Sequence, residues 1–182
     1  KGPIDREKAR EIIAYDEQID RQNREIEQQC YTLLLSQQPV AGDLRMVSAA
    51  LKMTTDMERI GDHAADISEI SLQFGEDEFI KEPEHIRMMA TLAIGMVKDG
   101  VDSYINRDIE TAKSLDSRDD RVDELFETVK SDLIALIKKD PANADQAILF
   151  MMIAKYLERI GDHAVNIAEW VEFSLTGKHT SN

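Results

Sequence analysis

Seven residues, Glu58-Arg59-Ile60-Gly61-Asp62-His63-Ala64, return unchanged as Glu158-Arg159-Ile160-Gly161-Asp162-His163-Ala164. Each copy carries two carboxylates four residues apart, which a helix stacks one above the other on a single face. Two further couplets have the same spacing, Asp16 with Asp20 and Asp119 with Asp123. Like charges so placed repel by roughly a few tenths of a kcal/mol per pair on an isolated helix, so stacking several of them calls for a compensating cation. Each Asp couplet precedes its Glu-x-x-x-Asp partner by one helix–turn–helix. Asp20 lies 19 residues before Pro39 and Asp62 lies 23 after it, comparable heights on two antiparallel arms. Four carboxylates could thus converge in each half. Such an all-oxygen set suits iron, manganese, magnesium or calcium, with zinc a further candidate. A single acidic row on a helix is ordinarily a solvated face. Its recurrence at matched positions in both halves favours the ligand reading.

The neighbours of these carboxylates read as supporting groups. Asp66 and Glu69 continue the first row, and Asn166 and Glu169 the second. Gly61 and Gly161 each cost about 1 kcal/mol relative to alanine inside a helix, a cost consistent with close approach of a neighbouring helix or with room for an ion. His63 and His163 sit about 100° round the helix from the Asp beside them, as flanking rather than ligating groups. Arg59 and Arg159 either neutralise the acidic rows or face water. The di-iron arrangement of ferritin-like bundles needs a His three residues after the Glu, and here that position is Gly61 or Gly161. No Ser-His-Asp setting, partnered nucleophilic cysteine or glycine-rich phosphate loop is evident, so the chain does not read as an enzyme.

The elements that must position these residues are helices. Apolar residues recur at helical spacing throughout, and strand alternation is absent. Ile12, Ile19, Ile26, Cys30 and Leu33 mark a first helix, capped by Asp5 and running to about Gln37. Asp43 is expected to cap a second, with Met53, Met57, Ile60, Ala64 and Ile67 on its core face, ending near Phe74-Gly75. The acidic stretch 76–83, closed by Pro83, reads as a linker. Helices are expected at about 84–106, 108–139 and 144–175, with a turn at Asp140-Pro141-Ala142-Asn143 between the last two. Asp16 aligns with Asp119 at an offset of 103, and Glu58 with Glu158 at 100, so the first and second helices correspond to the fourth and fifth. The third then has no twin. The expected fold is all-α: two tandem three-helix bundles related by duplication, at 1–75 and 84–176, with the first helix of the N-terminal bundle missing from this chain. A two-helix first half leaves apolar surface uncovered, which implies self-association as a homo-oligomer.

The 182 residues are 42% hydrophobic, enough for one core or two small ones that share an interface, and carry 36 acidic against 22 basic side chains, a net charge of −14. So acidic a surface repels nucleic acid and anionic lipid. The single cysteine, Cys30, excludes an internal disulfide framework and reads as a small core residue. With no apolar run of membrane-spanning length and no visible signal peptide, the expected location is cytoplasmic.

On the repeated ERIGDHA stretch, the paired carboxylates in two halves and the turn Gln37-Gln38-Pro39-Val40-Ala41-Gly42-Asp43-Leu44-Arg45, the chain closely resembles the PhoU family of phosphate-uptake regulators. The resemblance covers essentially the whole chain. It implies a six-helix fold of two three-helix bundles and multinuclear iron or zinc clusters on their surface. It also implies that Asp16, Asp20, Glu58, Asp62, Asp119, Asp123, Glu158 and Asp162 are the metal ligands. The role it implies is regulatory rather than enzymatic: damping the high-affinity phosphate ABC transporter, through its ATPase subunit, and holding a phosphate-sensing histidine kinase off when phosphate is plentiful. Alternatives left open are a metal-storage or metal-dependent hydrolytic bundle, and the cytosolic domain of a sodium–phosphate cotransporter.

Overall fold

Long stretches without proline or mid-helix breakers become long helices. In the computed structural model, which describes residues 2–36 and 38–179, five of them account for nearly all of the chain: α1 (Arg6–Ser36), α2 (Ala41–Ser71), α3 (Glu84–Asn106), α4 (Ile109–Lys139) and α5 (Ala144–Thr176). Asp5 caps α1, its carboxylate accepting from the Lys8 amide at 3.0 Å. Asp108 caps α4 in the same way, accepting from Thr111 N at 3.1 Å. At α2 the sequence expectation fails. The helix begins two residues before Asp43, with Val40 at the cap position and no side chain capping it, so Asp43 falls within the first turn. There its charge still complements the partial positive end of the helix. Gln37, expected near the end of the first helix, lies outside the described residues. Arg107 and Gly177 take left-handed backbone at the ends of α3 and α5, and a short 3-10 turn, Pro141–Asn143, joins α4 to α5.

The helices form a row. α1 packs on α2, α2 on α5, and α5 on both α3 and α4, which also pack on each other. The last three are therefore a three-helix bundle, whose core holds Met89, Met96, Leu115, Val122, Ile167 and Val171 fully buried. The first two are a pair whose second member leans on α5. Among the described residues no third helix covers α1. Of its apolar stripe only Cys30 is buried and Ile19 half-buried, while Ile12, Ile26 and Leu33 stand exposed together with Tyr15 and Tyr31. α2, held between two neighbours, is buried more widely than one apolar face implies. Met53 is in the core, Met57, Ile60 and Ile67 are partly buried against it, and Thr54, Asp56, Gly61, Ala65 and Ser68 are buried as well.

The acidic segment between α2 and α3 is pinned rather than slack. Phe74 and Phe79 pack edge-on against each other and against Phe150 of α5, with ring centroids 4.9–5.4 Å apart. Gln146 accepts from the Ile80 amide at 3.0 Å and donates to the Glu78 carbonyl at 3.1 Å. Lys81 pairs with Asp132 of α4, and Arg6 donates to the Leu72 carbonyl at 2.8 Å. Apolar residues and three anchors thus fix a stretch whose acidic side chains, Glu76, Asp77, Glu78 and Glu82, face water. That arrangement sets the register of the α1–α2 pair on the bundle.

Candidate metal centre

The α1–α2 and α4–α5 hairpins bring the carboxylates together. Asp16, Asp20 and Asp62 each offer an oxygen within 4.8 Å of the others, and Asp119, Asp123 and Asp162 do the same in the second hairpin. Six of the eight sequence-predicted ligands therefore meet three by three. The two glutamates stand one turn before the shared aspartates and lie outside these triplets. Glu58 is exposed. Glu158 is half-buried and paired with Lys155 at 2.6 Å, yet close enough for its charge to act on Asp119, Asp123 and Asp162.

The repeated glycines show how the hairpins accommodate this. A Cβ on Gly61 would stand 2.9 Å from Asp16 Oδ1 and 3.1 Å from the Ile19 side chain, and one on Gly161 would stand 2.9 Å from Asp119 Oδ1. In both hairpins the missing side chain makes the space that the facing Asp carboxylate occupies. Close helix approach and room at the site are one and the same here.

Electrostatics mark the clusters as costly in charged form. Burial first, then the Asp20, Asp62 and Asp66 charges, push Asp16 up to about 6. Burial, followed by Asp123 and Asp162, pushes Asp119 up to about 7. Asp123 and Asp162 are also raised, by burial and by Glu158. The Oδ1 atoms of Asp16, Asp20 and Asp119 are buried without a hydrogen-bond partner, which a native fold seldom tolerates. Unpartnered buried oxygens, a cradle that a Cβ would fill and an all-oxygen donor set fit a hard cation.

The histidines beside these aspartates turn the other way. His63 and His163 face each other across the α2–α5 contact, ring centroids 5.3 Å apart. His163 Nδ1 lies 3.0 Å from Asp56 Oδ1, which also accepts from Asn166 Nδ2 at 3.2 Å. His63 packs on Tyr156 at 5.4 Å. The motif thus has two working faces, carboxylates toward the hairpin partner and imidazoles toward the other copy of the motif. Arg59 is exposed, and Arg159 lies over the Tyr156 ring at 5.5 Å. Sequence reading missed Asp56 and placed Asn166 only in the acidic row of the second copy, whereas Asp56, His163 and Asn166 form a polar link between the two halves. The duplication hides the link, because the position matching Asp56 is Tyr156 and the one matching Asn166 is Asp66. It also missed Lys155, for which the one available signal was its spacing of three from Glu158.

Fold and site together define a duplicated, all-helical protein with a carboxylate cluster in each repeat. The PhoU domain profile matches residues 3–71 and again 86–171, and the chain belongs to the PhoU family. It is 35% identical over 175 residues to a PhoU homologue of Clostridium acetobutylicum, an alignment covering 96% of this chain and 80% of the relative. Its structure is similar to the crystal structure of PhoU from Pseudomonas aeruginosa, with a TM-score of 0.90 and 31% identity over 96% of this chain and 84% of that one. It is also similar to PhoU from Streptococcus pneumoniae, with a TM-score of 0.88 and 28% identity over 98% and 84%. Among the described residues no helix is long and apolar enough to cross a membrane.

Proposed function

We propose that this protein is a cytoplasmic regulator that damps high-affinity phosphate uptake and phosphate-starvation signalling through protein–protein contacts, with metal ions held by its two carboxylate clusters. Family membership supports the regulatory part. The Clostridium relative is named a phosphate-specific transport system accessory protein, and the Streptococcus structure a phosphate transport system regulatory protein. The natural partners are then the ATPase subunit of a phosphate transporter and a phosphate-sensing kinase. Self-association as a homo-oligomer is part of the same proposal.

The observation that carries the metal part is the same triplet of carboxylates built twice, with buried unpartnered oxygens in each. Asp16, Asp20 and Asp62 would hold one cluster and Asp119, Asp123 and Asp162 the other, with Glu58 and Glu158 within one helical turn. A multivalent ion there, iron or zinc above all and manganese, magnesium or calcium as further candidates, would supply the positive charge that the carboxylates lack. The protein's own part is to orient those oxygens and keep the helices in register. Elemental analysis of protein purified without chelator tests it. Wild type should retain metal, and the variant with Asp16, Asp62, Asp119 and Asp162 all changed to Asn should not. Equal metal in both would overturn the assignment. Crosslinking in phosphate-replete cells should recover a phosphate-transporter ATPase or a sensor kinase by mass spectrometry, and failure to enrich either would overturn the partner reading.

A further inference from the structure

The two clusters are unequal in two respects that neither the motif nor the fold requires. Lys155 stands three residues before Glu158, where the first copy has the uncharged Thr55 before Glu58. Its ammonium lies 2.6 Å from Glu158 Oε1 and 5.2 Å from the centroid of the Phe126 ring on α4. Phe126 is one turn beyond Asp123, so the ammonium is braced between the two helices that carry the second cluster. The Glu158 side chain is only 15% exposed. Among the described residues the first cluster has no counterpart: Lys8, the lysine sharing a groove with Asp16, pairs with Glu11 at 3.4 Å. The first cluster also has Asp66 close by, where the second repeat has the neutral Asn166.

Resting on the metal reading above, we propose that Lys155 is a resident counter-ion of the second cluster: it withholds Glu158 and makes this the weaker of two cation sites. A cation entering between Asp119, Asp123 and Asp162 must displace the ammonium or bind beside a like charge. A cation entering between Asp16, Asp20 and Asp62 meets neither obstacle and has Asp66 nearby, as one entering the second cluster has Asp120. Affinity for hard cations follows the carboxylate charge at the site. The first cluster therefore fills first, and the second fills only at higher free cation, which gives one protein two thresholds. An ordinary exposed ion pair at this spacing is worth little, but here one partner is largely buried and the other is held over an aromatic face.

The test is cation titration of the full, chelator-stripped chain, with Mn²⁺ followed by electron paramagnetic resonance and Zn²⁺ by calorimetry. Wild type should bind in two classes, the tighter abolished by D16N/D62N and the weaker by D119N/D162N. K155M should tighten the weaker class roughly fivefold and leave the tighter one alone. K155R should behave as wild type, and T55K should weaken the tighter class. Two classes in wild type with K155M changing neither would overturn the inference and leave the metal reading intact, as would loss of the weaker class in D16N/D62N. No saturable uptake of either ion would overturn both. Should K155M melt far below wild type, T55K decides: a tighter class unmoved by the added ammonium sinks the idea.

Discussion

The α1–α2 hairpin and the α4–α5 hairpin carry the same motif, with the same aspartate triplet and the same glycine cradle, in different surroundings. The second has α3 laid along it. Arg118, beside Asp119, is drawn onto Asp99 of α3 at 2.7 Å. It passes so close to Gly95 that a Cβ there would be 2.9 Å from its guanidinium. Met96 of α3 comes within 4.0 Å of where a Cβ on Gly161 would stand. Among the described residues α1 of the first hairpin packs on α2 alone. Its Asp16 is pushed up to about 6, where Asp119 reaches about 7. Burial is the leading cause at both, followed by the neighbouring carboxylates. Equivalent donors in the two hairpins are thus costly to hold charged, each within its own surroundings.

The comparison breaks most visibly in the cores. Leu115→Ala, in the fully buried layer of the three-helix bundle, should lose about 2–5 kcal/mol in chemical denaturation, while Ile19→Ala, half-buried in the two-helix pair, should lose about 1 kcal/mol. Equal losses would mean that α1 is as well covered as α4.

A smaller effect follows from the raised carboxylates. Asp16 and Asp119 both titrate above the ordinary value of 3.8 in the fold, so the folded state holds protons that the unfolded chain releases. Their contribution is fully present below that ordinary value. It is lost as pH rises through about 6 for Asp16 and about 7 for Asp119. Metal-free protein should therefore melt at a lower temperature at about pH 8 than at about pH 5. D119N should recover about 1 kcal/mol at the upper end, and D16N should flatten the lower part of the curve. A melting temperature that rises across this window would contradict the burial of these groups.

The smallest difference separates the two glycines. Gly61→Ala meets both Asp16 and Ile19, whereas Gly161→Ala meets only Asp119 at short range. The gain in helix propensity, about 1 kcal/mol, should offset the cost at Gly161 and leave Gly61→Ala net destabilised by about 1 kcal/mol. Identical thermal melts for the two variants would show that Ile19 yields without penalty.

Much of this was legible in the chain. Helix limits at Glu84 and Asn106, at Asp108 and Lys139, and near Ala144 follow from caps, turns and 3.6-residue spacing, and the structure reproduces them within about a residue. The start of α2 was not, because Asp43 is a good capping residue that the fold does not use as a cap. The meeting of Asp16 and Asp20 with Asp62, and of Asp119 and Asp123 with Asp162, could be counted out from the turn. The separation of Glu58 and Glu158 from the triplets could not, since a longer side chain one turn away can swing to water or to a lysine. Nor could the linker's anchoring be read, because Phe79 and Ile80 look like isolated apolar residues in an acidic run until Phe150 and Gln146 are placed beside them.

By itself the sequence determined most of what is local or repeated: the long helices, a duplication, carboxylates at turn spacing, and glycines between them. Periodicity and exact repetition survive in one dimension. Only the tertiary structure decided which neighbour each copy has. It set His63 against His163, gave Asp56 to His163 across the α2–α5 contact, and laid α3 along the second hairpin. Those outcomes depend on long-range packing of faces that look alike in the chain, and burial and neighbouring charge, which raise Asp16, Asp119, Asp123 and Asp162, are properties of that packing.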